Sequence, residues 1–283
     1  MKTYLIILVV ALSFFGPLVS LWGQSIFEVD GITYRVIKDA DESSTFGTVA
    51  VTAGNYMGAI SIPNAVRMGG DQYADVYKVV EIDEGAFDNC AALEEVTIPV
   101  SIESIGKFAF RGCISLTSVI MPAKSNLTSL GISVFMASGL KSISLPDGLR
   151  SIPITAFYDC KELTEVVLPL SLTKIEMYAF SGCESLKKIA LPERLNSIGA
   201  CAFMRSGLEE IRLPMGIMVL DDHVFSNCSS LTKVELSPKT IKIGNCAFAY
   251  CQKLSEINKP ETLKSISPSA FERSEMIPDY YRP

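Results

Sequence analysis

Apolar residues recur along this chain with a period much longer than that of a helix or a strand. A phenylalanine returns nine times at intervals of 22 to 25 residues, and a proline keeps step with it through most of the chain. The nine positions are Phe87, Phe110, Phe135, Phe157, Phe180, Phe203, Phe225, Phe248 and Phe271. A fixed period of this length predicts a solenoid of stacked coils.

Each unit follows the pattern L-x-x-I-x-x-x-A-F-x-x-C-x-x-L-x-x-V-x-I-P. Ile189 and Leu191 are two residues apart, which predicts the inward face of a short strand, and Pro192 ends that strand because proline has no N–H for the ladder. The other apolar positions are too unevenly spaced for a long helix and favour turns with short irregular or 3-10 segments. Since one coil cannot bury these groups alone, we expect the strands to stack into a parallel sheet at about 4.8 Å per coil.

The motif AFxxCxxLxxVxIPxxLxxIG resembles the repeat of the BspA-like leucine-rich repeat family of bacterial secreted and surface proteins. The resemblance covers residues 79–271. It implies a leucine-rich-repeat solenoid with a parallel β-sheet on one face and turns or short segments on the other. It also implies a role in attachment to host proteins or to other bacteria.

The segments on either side of the repeats predict caps. FEVDGITYRVI (27–37) predicts a β-hairpin with a two-residue turn at Asp30–Gly31, and YMGAISIPNAV (56–66) predicts a degenerate first coil that ends at Pro63. Residues 24–78 would therefore cover the first edge of the solenoid. Residues 272–283 lack a full strand, which predicts a C-terminal cap or tail.

The N-terminus and the composition predict an exported protein. Lys2 precedes the apolar run YLIILVVALSFF (4–15) and a stretch of small residues, which predicts a signal peptide over residues 1–23. The alternative, an uncleaved membrane anchor, is disfavoured because the run is short for a bilayer span. The net charge of −6 argues against nucleic acid and anionic membranes as partners, since both select basic surfaces.

Six of the eight cysteines share one place in the repeat, three residues after the phenylalanine. They are Cys90, Cys113, Cys160, Cys183, Cys228 and Cys251. Ser138 and Ser206 replace cysteine in the third and sixth units. Adjacent coils bring such residues within disulfide range, but parallel side chains do not converge on each other, which favours buried free thiols over three bridges.

The remaining two cysteines raise the question of a metal site. Cys201, His223 and Cys246 occupy the same place in three consecutive units, and all three are zinc-ligand types. The outer cysteines would lie roughly 10 Å apart, which is too far for one metal ion. We therefore predict no metal and no cofactor. We also predict no enzyme, because His223 is the only imidazole and no catalytic motif accompanies it.

The outward side of the strands is the candidate binding surface. The position between the two inward residues is occupied by Thr97, Ile120, Ser144, Val167, Ala190, Arg212, Glu235 and Asn258. Extended sheet faces are how repeat proteins usually bind partners, although these residue types also simply suit strands. The predicted binding residues are Ile120, Ser144, Val167, Ala190 and Arg212.

These features predict a secreted or cell-surface module that binds a partner through the sheet face, and the resemblance implies that this partner is a protein from a host or from bacteria. A glycan-binding accessory protein and a structural surface spacer that binds nothing are the alternatives. We expect no transmembrane segment in the mature chain.

Overall fold

The computed structural model describes residues 18–19, 25–40, 46–68 and 75–281. The predicted signal peptide, residues 1–23, lies outside the described residues except for Leu18–Val19. In chain order the described elements are β1 (Leu18–Val19), β2 (Ser25–Val29), β3 (Ile32–Lys38), β4 (Gly47–Val51), β5 (Gly58–Ser61), β6 (Ala65–Arg67), β7 (Val76–Ile82), β8 (Leu93–Thr97), β9 (Ser104–Ile105), β10 (Ser118–Ile120), β11 (Ser129–Leu130), β12 (Ser142–Ser144), β13 (Ser151–Ile152), β14 (Glu165–Val167), β15 (Lys174–Ile175), β16 (Ser197–Ile198), β17 (Glu210–Arg212), β18 (Val219–Leu220), β19 (Lys233–Glu235), β20 (Lys242–Ile243), β21 (Glu256–Ile257), β22 (Ser265–Ile266) and the 3-10 helix η1 (Asp279–Tyr281).

The repeats form a solenoid of about eight coils with parallel sheets, which confirms the predicted fold. On the predicted sheet face, β5, β8, β10, β12 and β14 form one five-stranded parallel sheet, and β17, β19 and β21 form a second sheet of three. We call these two sheets, together with residues 187–190 between them, the sheet face.

The other side of the coil is more regular than the predicted turns and irregular segments. Two-residue strands pair in parallel there, as in β15 with β16, where Ile175 is in register with Ile198. Three short ladders run along this side, namely β7–β9–β11, β13–β15–β16 and β18–β20–β22. The isoleucine or leucine at this place in the repeat is therefore fixed by a backbone ladder as well as by packing. Within the described residues the single 3-10 helix is η1, at the C-terminal end.

A continuous stack of aromatic rings runs through the core. The nine repeat phenylalanines stack with ring centroids 4.8 to 5.5 Å apart and interplanar angles of 3 to 17°. Tyr56 packs on Phe87 at 4.5 Å, and Tyr281 packs on Phe271 at 4.9 Å. A tyrosine therefore closes each end of the stack, where its hydroxyl donates to a backbone carbonyl while its ring covers the terminal phenylalanine.

The turns around each phenylalanine contain left-handed backbone at two fixed places. Residues two before the phenylalanine have φ of 50 to 58° from Phe108 to Cys246, and residues two after it have φ of 54 to 61° wherever the residue is not glycine. Such residues are usually glycine or asparagine because a side chain is strained there. Here the neighbouring coil holds the strained backbone, since the Phe108 N–H donates to Ile132 O at 3.0 Å and the Asn89 N–H donates to Arg111 O at 2.7 Å.

The N-terminal segment extends the short-strand side of the solenoid. β2 and β3 form the predicted hairpin, with Asp30 and Gly31 at φ of 51 and 76°, as a tight two-residue turn requires. β3 pairs with β4, and β4 joins the solenoid by parallel pairing with β7. β5, from the predicted degenerate coil, is the first strand of the sheet face. The boundaries 24–78, 79–271 and 272–283 stay predictions.

Candidate binding face

All five predicted binding residues are exposed, but they do not lie on one continuous sheet. Ile120 is in β10, Ser144 in β12 and Val167 in β14, all within the five-stranded sheet, and Ser144 is in register with Val167. Arg212 lies in β17, in the separate three-stranded sheet. Ala190 lies between the two sheets, in a coil that forms no strand at 188–190. The structure therefore brings Ile120, Ser144 and Val167 together and sets Arg212 apart.

The coil that separates the two sheets is still attached to its neighbours just before the gap. The Ser185 N–H donates to Lys161 O at 3.2 Å, and the Glu209 N–H donates to Lys187 O at 3.0 Å. A shallow recess of about 370 Å³ opens at the gap, lined by Lys188, Ile189, Ala190, Glu210, Ile211, Arg212, Lys233 and Glu235. Ala190 has a lower β propensity than the isoleucine and valine at the same place in earlier coils, which is consistent with the missing strand.

The part of the sheet face after the gap is covered by ion pairs, and we call residues 187–190, Glu209 and the strands β17, β19 and β21 the ion-pair segment. Lys188 Nζ lies 2.8 Å from Glu210 Oε1, and the hydrogen bond between them raises the pKa of Lys188 and lowers that of Glu210. Three more pairs follow the same axis, Lys187–Glu209 at 3.2 Å, Arg212–Glu235 at 3.6 Å and Lys233–Glu256 at 3.2 Å. Arg212 is therefore already engaged within the chain.

The part before the gap has a different surface, and we call β5, β8, β10, β12 and β14 the aliphatic segment. The side chains of Ile120 and Val167 are 47% and 49% exposed there, although the residues beside them, Val119 and Val166, are buried. Ser144 is exposed between them. Two large aliphatic side chains thus stand on the outward side of a sheet whose inward side is already filled.

The cysteine column is part of the core. The Cys113 thiol donates to Phe87 O at 3.0 Å and the Cys160 thiol to Phe135 O at 2.9 Å, each reaching the carbonyl of the preceding coil. All eight cysteines are free thiols in the structure. Burial raises the pKa of Cys113 to about 12 and that of Cys160 to about 11, so neither thiol is poised for nucleophilic chemistry.

Serine fills the same place where cysteine is missing. Ser274 lies three residues after Phe271, and its hydroxyl donates to Phe248 O at 2.6 Å, as the thiols do in the other coils. Ser138 instead lies 3.4 Å from the Cys160 sulfur. The requirement in this column is therefore a small side chain with a hydrogen to donate. The sequence prediction missed that the last coil, which has no cysteine, keeps this bond through Ser274.

Cys201, His223 and Cys246 occupy the left-handed position two residues before the phenylalanine, with φ of 58, 58 and 50°. They differ in environment, since Cys201 is buried, Cys246 is half-buried and His223 is exposed. In the part of the chain that the structure describes, no three His, Cys, Asp or Glu side chains lie close enough to hold a metal ion. Beside this column, Asp222 accepts hydrogen bonds from the Asn245 backbone at 2.8 Å and from its side-chain amide at 3.0 Å, which lowers the pKa of Asp222.

Comparisons with known proteins agree with this architecture. The model of the BspA type leucine rich repeat region matches in six copies, over residues 80–174 and 150–277. No curated protein sequence matches the chain. The pneumococcal vaccine antigen PcpA has a similar crystal structure, with a TM-score of 0.61 and 25% identity over 84% of this chain and 71% of PcpA. A leucine rich cell surface protein from Faecalibacterium prausnitzii aligns with a TM-score of 0.49 and 22% identity, over 89% of this chain and 87% of that one.

Members of this repeat family are bacterial surface or secreted proteins, and they are generally binding or structural scaffolds rather than enzymes. Within the described residues, no helix is long and apolar enough to cross a bilayer. The family model covers well over half of the chain, and the repeat, the aromatic stack and the parallel ladders all fit it. The chain belongs to the BspA type leucine rich repeat family.

Proposed function

We propose that this protein is a secreted or cell-surface binding module that recognises a protein partner through the aliphatic segment of its sheet face. The observation that carries the proposal is the exposure of Ile120 and Val167 on the outward side of an otherwise complete sheet. Aliphatic side chains at these positions contribute little to the core, and their burial against a partner would favour binding.

The surroundings of these residues support an interface rather than a catalytic site. The sheet face is an open surface, and Arg212 and the charged residues around it already form ion pairs within the chain. Among the described residues, burial raises the pKa of the core thiols and the exposed His223 makes no side-chain hydrogen bond, which leaves no nucleophile paired with an adjacent base. We propose that the signal peptide directs export of the protein and that its biological role is adhesion through the sheet face.

The proposal is tested with a double variant, Ile120→Glu with Val167→Glu, and a matched control, Met215→Glu with Val219→Glu. The control pair is also apolar and exposed, at 52% and 39%, but lies outside the strands of the sheet face, with Met215 in the turn between β17 and β18 and Val219 in β18. Mature protein of each type is applied to an array of host and bacterial surface proteins and to a glycan array. We expect the wild-type protein and the control to bind proteins on the array and the sheet-face variant to lose that binding, with unchanged melting curves for all three.

Three results would contradict the proposal. Equal binding by the sheet-face variant and the control would place the interface elsewhere. Binding confined to sugars would support the glycan-binding alternative, and no binding to either array would support a structural spacer.

A further inference from the structure

The two segments of the sheet face differ in how their charges are compensated. Over the four coils of the ion-pair segment there are four basic and four acidic side chains, and each has an opposite partner within 4 Å. The corresponding positions in the strands of the aliphatic segment, or directly before a strand in the case of Lys141, carry Glu94, Glu95, Lys141 and Glu165, which is three negative charges against one positive, a net charge of −2. None of these four forms an ion pair within the described residues.

The uncompensated carboxylates flank the exposed aliphatic side chains. Glu95 and Glu165 occupy equivalent outward positions at the two ends of β8, β10, β12 and β14, two residues before the column that contains Ile120 and Val167. Three coils separate them, or roughly 14 Å at the spacing of adjacent strands. The outward residues between them are the small Ser118 and Ser142, and of the two carboxylates Glu165 is exposed and Glu95 is half-buried.

Exposed charges of one sign beside an apolar strip select partners of the opposite sign. We propose that the aliphatic segment recognises an extended stretch of a partner polypeptide. This stretch carries lysine or arginine side chains beside aliphatic ones. The aliphatic side chains pack on Ile120 and Val167, and the cations reach Glu95 and Glu165. This inference rests on the proposed function, because it names the chemistry of the partner that the same face binds.

The repeat of side chains along an extended peptide allows a direct test. In a peptide built from the repeat Lys-Lys-Val-Val, each side presents lysine and valine in alternation, and equivalent lysines lie about 13 Å apart, which matches the separation of Glu95 and Glu165. The probes are immobilised peptides with this repeat and with the repeats Ser-Ser-Val-Val, Glu-Glu-Val-Val and Lys-Lys-Ser-Ser. The proteins are the mature chain, the variant Glu95→Gln with Glu165→Gln, and the control Glu235→Gln with Glu256→Gln.

We expect the mature chain to prefer the Lys-Lys-Val-Val peptide over the other three. The Glu95→Gln, Glu165→Gln variant should bind it about threefold to tenfold more weakly, which lies within the range expected for loss of two surface ion pairs. The control removes the same charge from the ion-pair segment. Its two positions lie farther from the aliphatic segment than the Debye length of about 8 Å at physiological salt, so the control should bind as the unaltered chain does. The preference should shrink as ionic strength rises from about 0.01 M to about 0.15 M.

Equal capture of the lysine and serine peptides, or unchanged binding by the Glu95→Gln, Glu165→Gln variant, would overturn the inference. So would failure to capture any peptide at millimolar concentration. These results leave the proposed function standing if Ile120→Glu with Val167→Glu still abolishes binding to proteins on the array. If that variant binds the array normally, the proposed function itself fails.

Discussion

The aliphatic segment and the ion-pair segment of the sheet face lie on the same core but differ in their outward-facing side chains. Phe180 and Phe203 stack at 5.4 Å across the gap, like the other pairs in the column, although the sheet is interrupted at residues 188–190. Inward residues are buried on both sides, as Val166 and Ile211 show. Outward, one segment has exposed aliphatic side chains with unpaired carboxylates, and the other has a row of compensated charges.

The difference shows which part of each repeat is free to vary. A buried phenylalanine ring in the stack is held by neighbours in the coils before and after it, so any smaller replacement leaves a cavity. An outward strand residue meets mainly solvent, and a change there has little effect on folding. Functional information in this protein is therefore expected in the outward residues, and the core is expected to be equivalent in both segments.

The largest predicted effect tests whether the core is shared. Phe157→Ala, beneath the aliphatic segment, and Phe203→Ala, beneath the ion-pair segment, should each lower the free energy of unfolding by about 3 to 5 kcal/mol. Both rings are fully buried, with stacking neighbours at 5.1 to 5.5 Å. Urea denaturation followed by circular dichroism measures the loss.

The two variants should agree within about 1 kcal/mol if the coils contribute equally to one cooperative unit. A much smaller loss for Phe203→Ala would mean that the gap in the sheet divides the solenoid into halves that unfold separately. Two resolved transitions in the urea curve would indicate the same division.

The core and the sheet face were predictable from the sequence because both depend on periodicity. The nine-fold recurrence of phenylalanine predicted the stacked coils in which these rings lie, and Ile120, Ser144 and Val167 are outward because they alternate with buried residues. The short-strand ladders were not predictable in the same way. A two-residue segment such as Lys174–Ile175 has no alternation to detect, and its strand exists only because the adjacent coil is in register.

The left-handed turn positions and the gap escaped sequence reasoning for different reasons. Gly112, Gly182 and Asn89 indicate positive φ two residues after the phenylalanine. Tyr250 and Arg205 occupy the same place in other units, so the residue types there do not predict a left-handed backbone. The gap at 188–190 follows the same L-x-x-I-x-L-P pattern as its neighbours, so its position depends on packing that the pattern does not encode. The pairing of Arg212 with Glu235 depends equally on side-chain geometry.

The second prediction concerns the thiol column, which crosses both segments. Burial raises the pKa of Cys113 to about 12 and that of Cys228 to about 11, whereas a thiol in the unfolded chain titrates near about 8.5. The folded state therefore keeps its protons to higher pH. The stability contributed by each thiol is complete below about pH 8.5 and is lost as pH rises towards the folded pKa, at about 1.4 kcal/mol per pH unit.

Serine in place of either cysteine removes this dependence. We expect Cys113→Ser and Cys228→Ser each to flatten the fall in unfolding free energy between about pH 9 and 10.5 by about 1.4 kcal/mol per unit. Ser274→Ala, which removes the hydroxyl donor to Phe248 O but no titrating thiol, is the control and should leave the slope unchanged. Identical slopes for wild type and both serine variants would show that these thiols are solvated or bridged in solution.

The smallest predicted effect tests whether capture of the peptide needs the exposed aliphatic side chains or only negative charge. Lys188→Gln with Lys233→Gln leaves two basic and four acidic side chains in the ion-pair segment, so its net charge becomes −2, as in the aliphatic segment. The melting temperature should not change measurably, because both lysines are exposed and water replaces their ion pairs. The altered segment should also gain no capture of the Lys-Lys-Val-Val peptide, since no exposed side chain there matches Ile120 or Val167. The lysine substitutions are therefore also measured in the variant that carries Ile120→Glu with Val167→Glu. If they restored capture of the peptide there, negative charge alone would recruit the peptide and the aliphatic side chains would be dispensable.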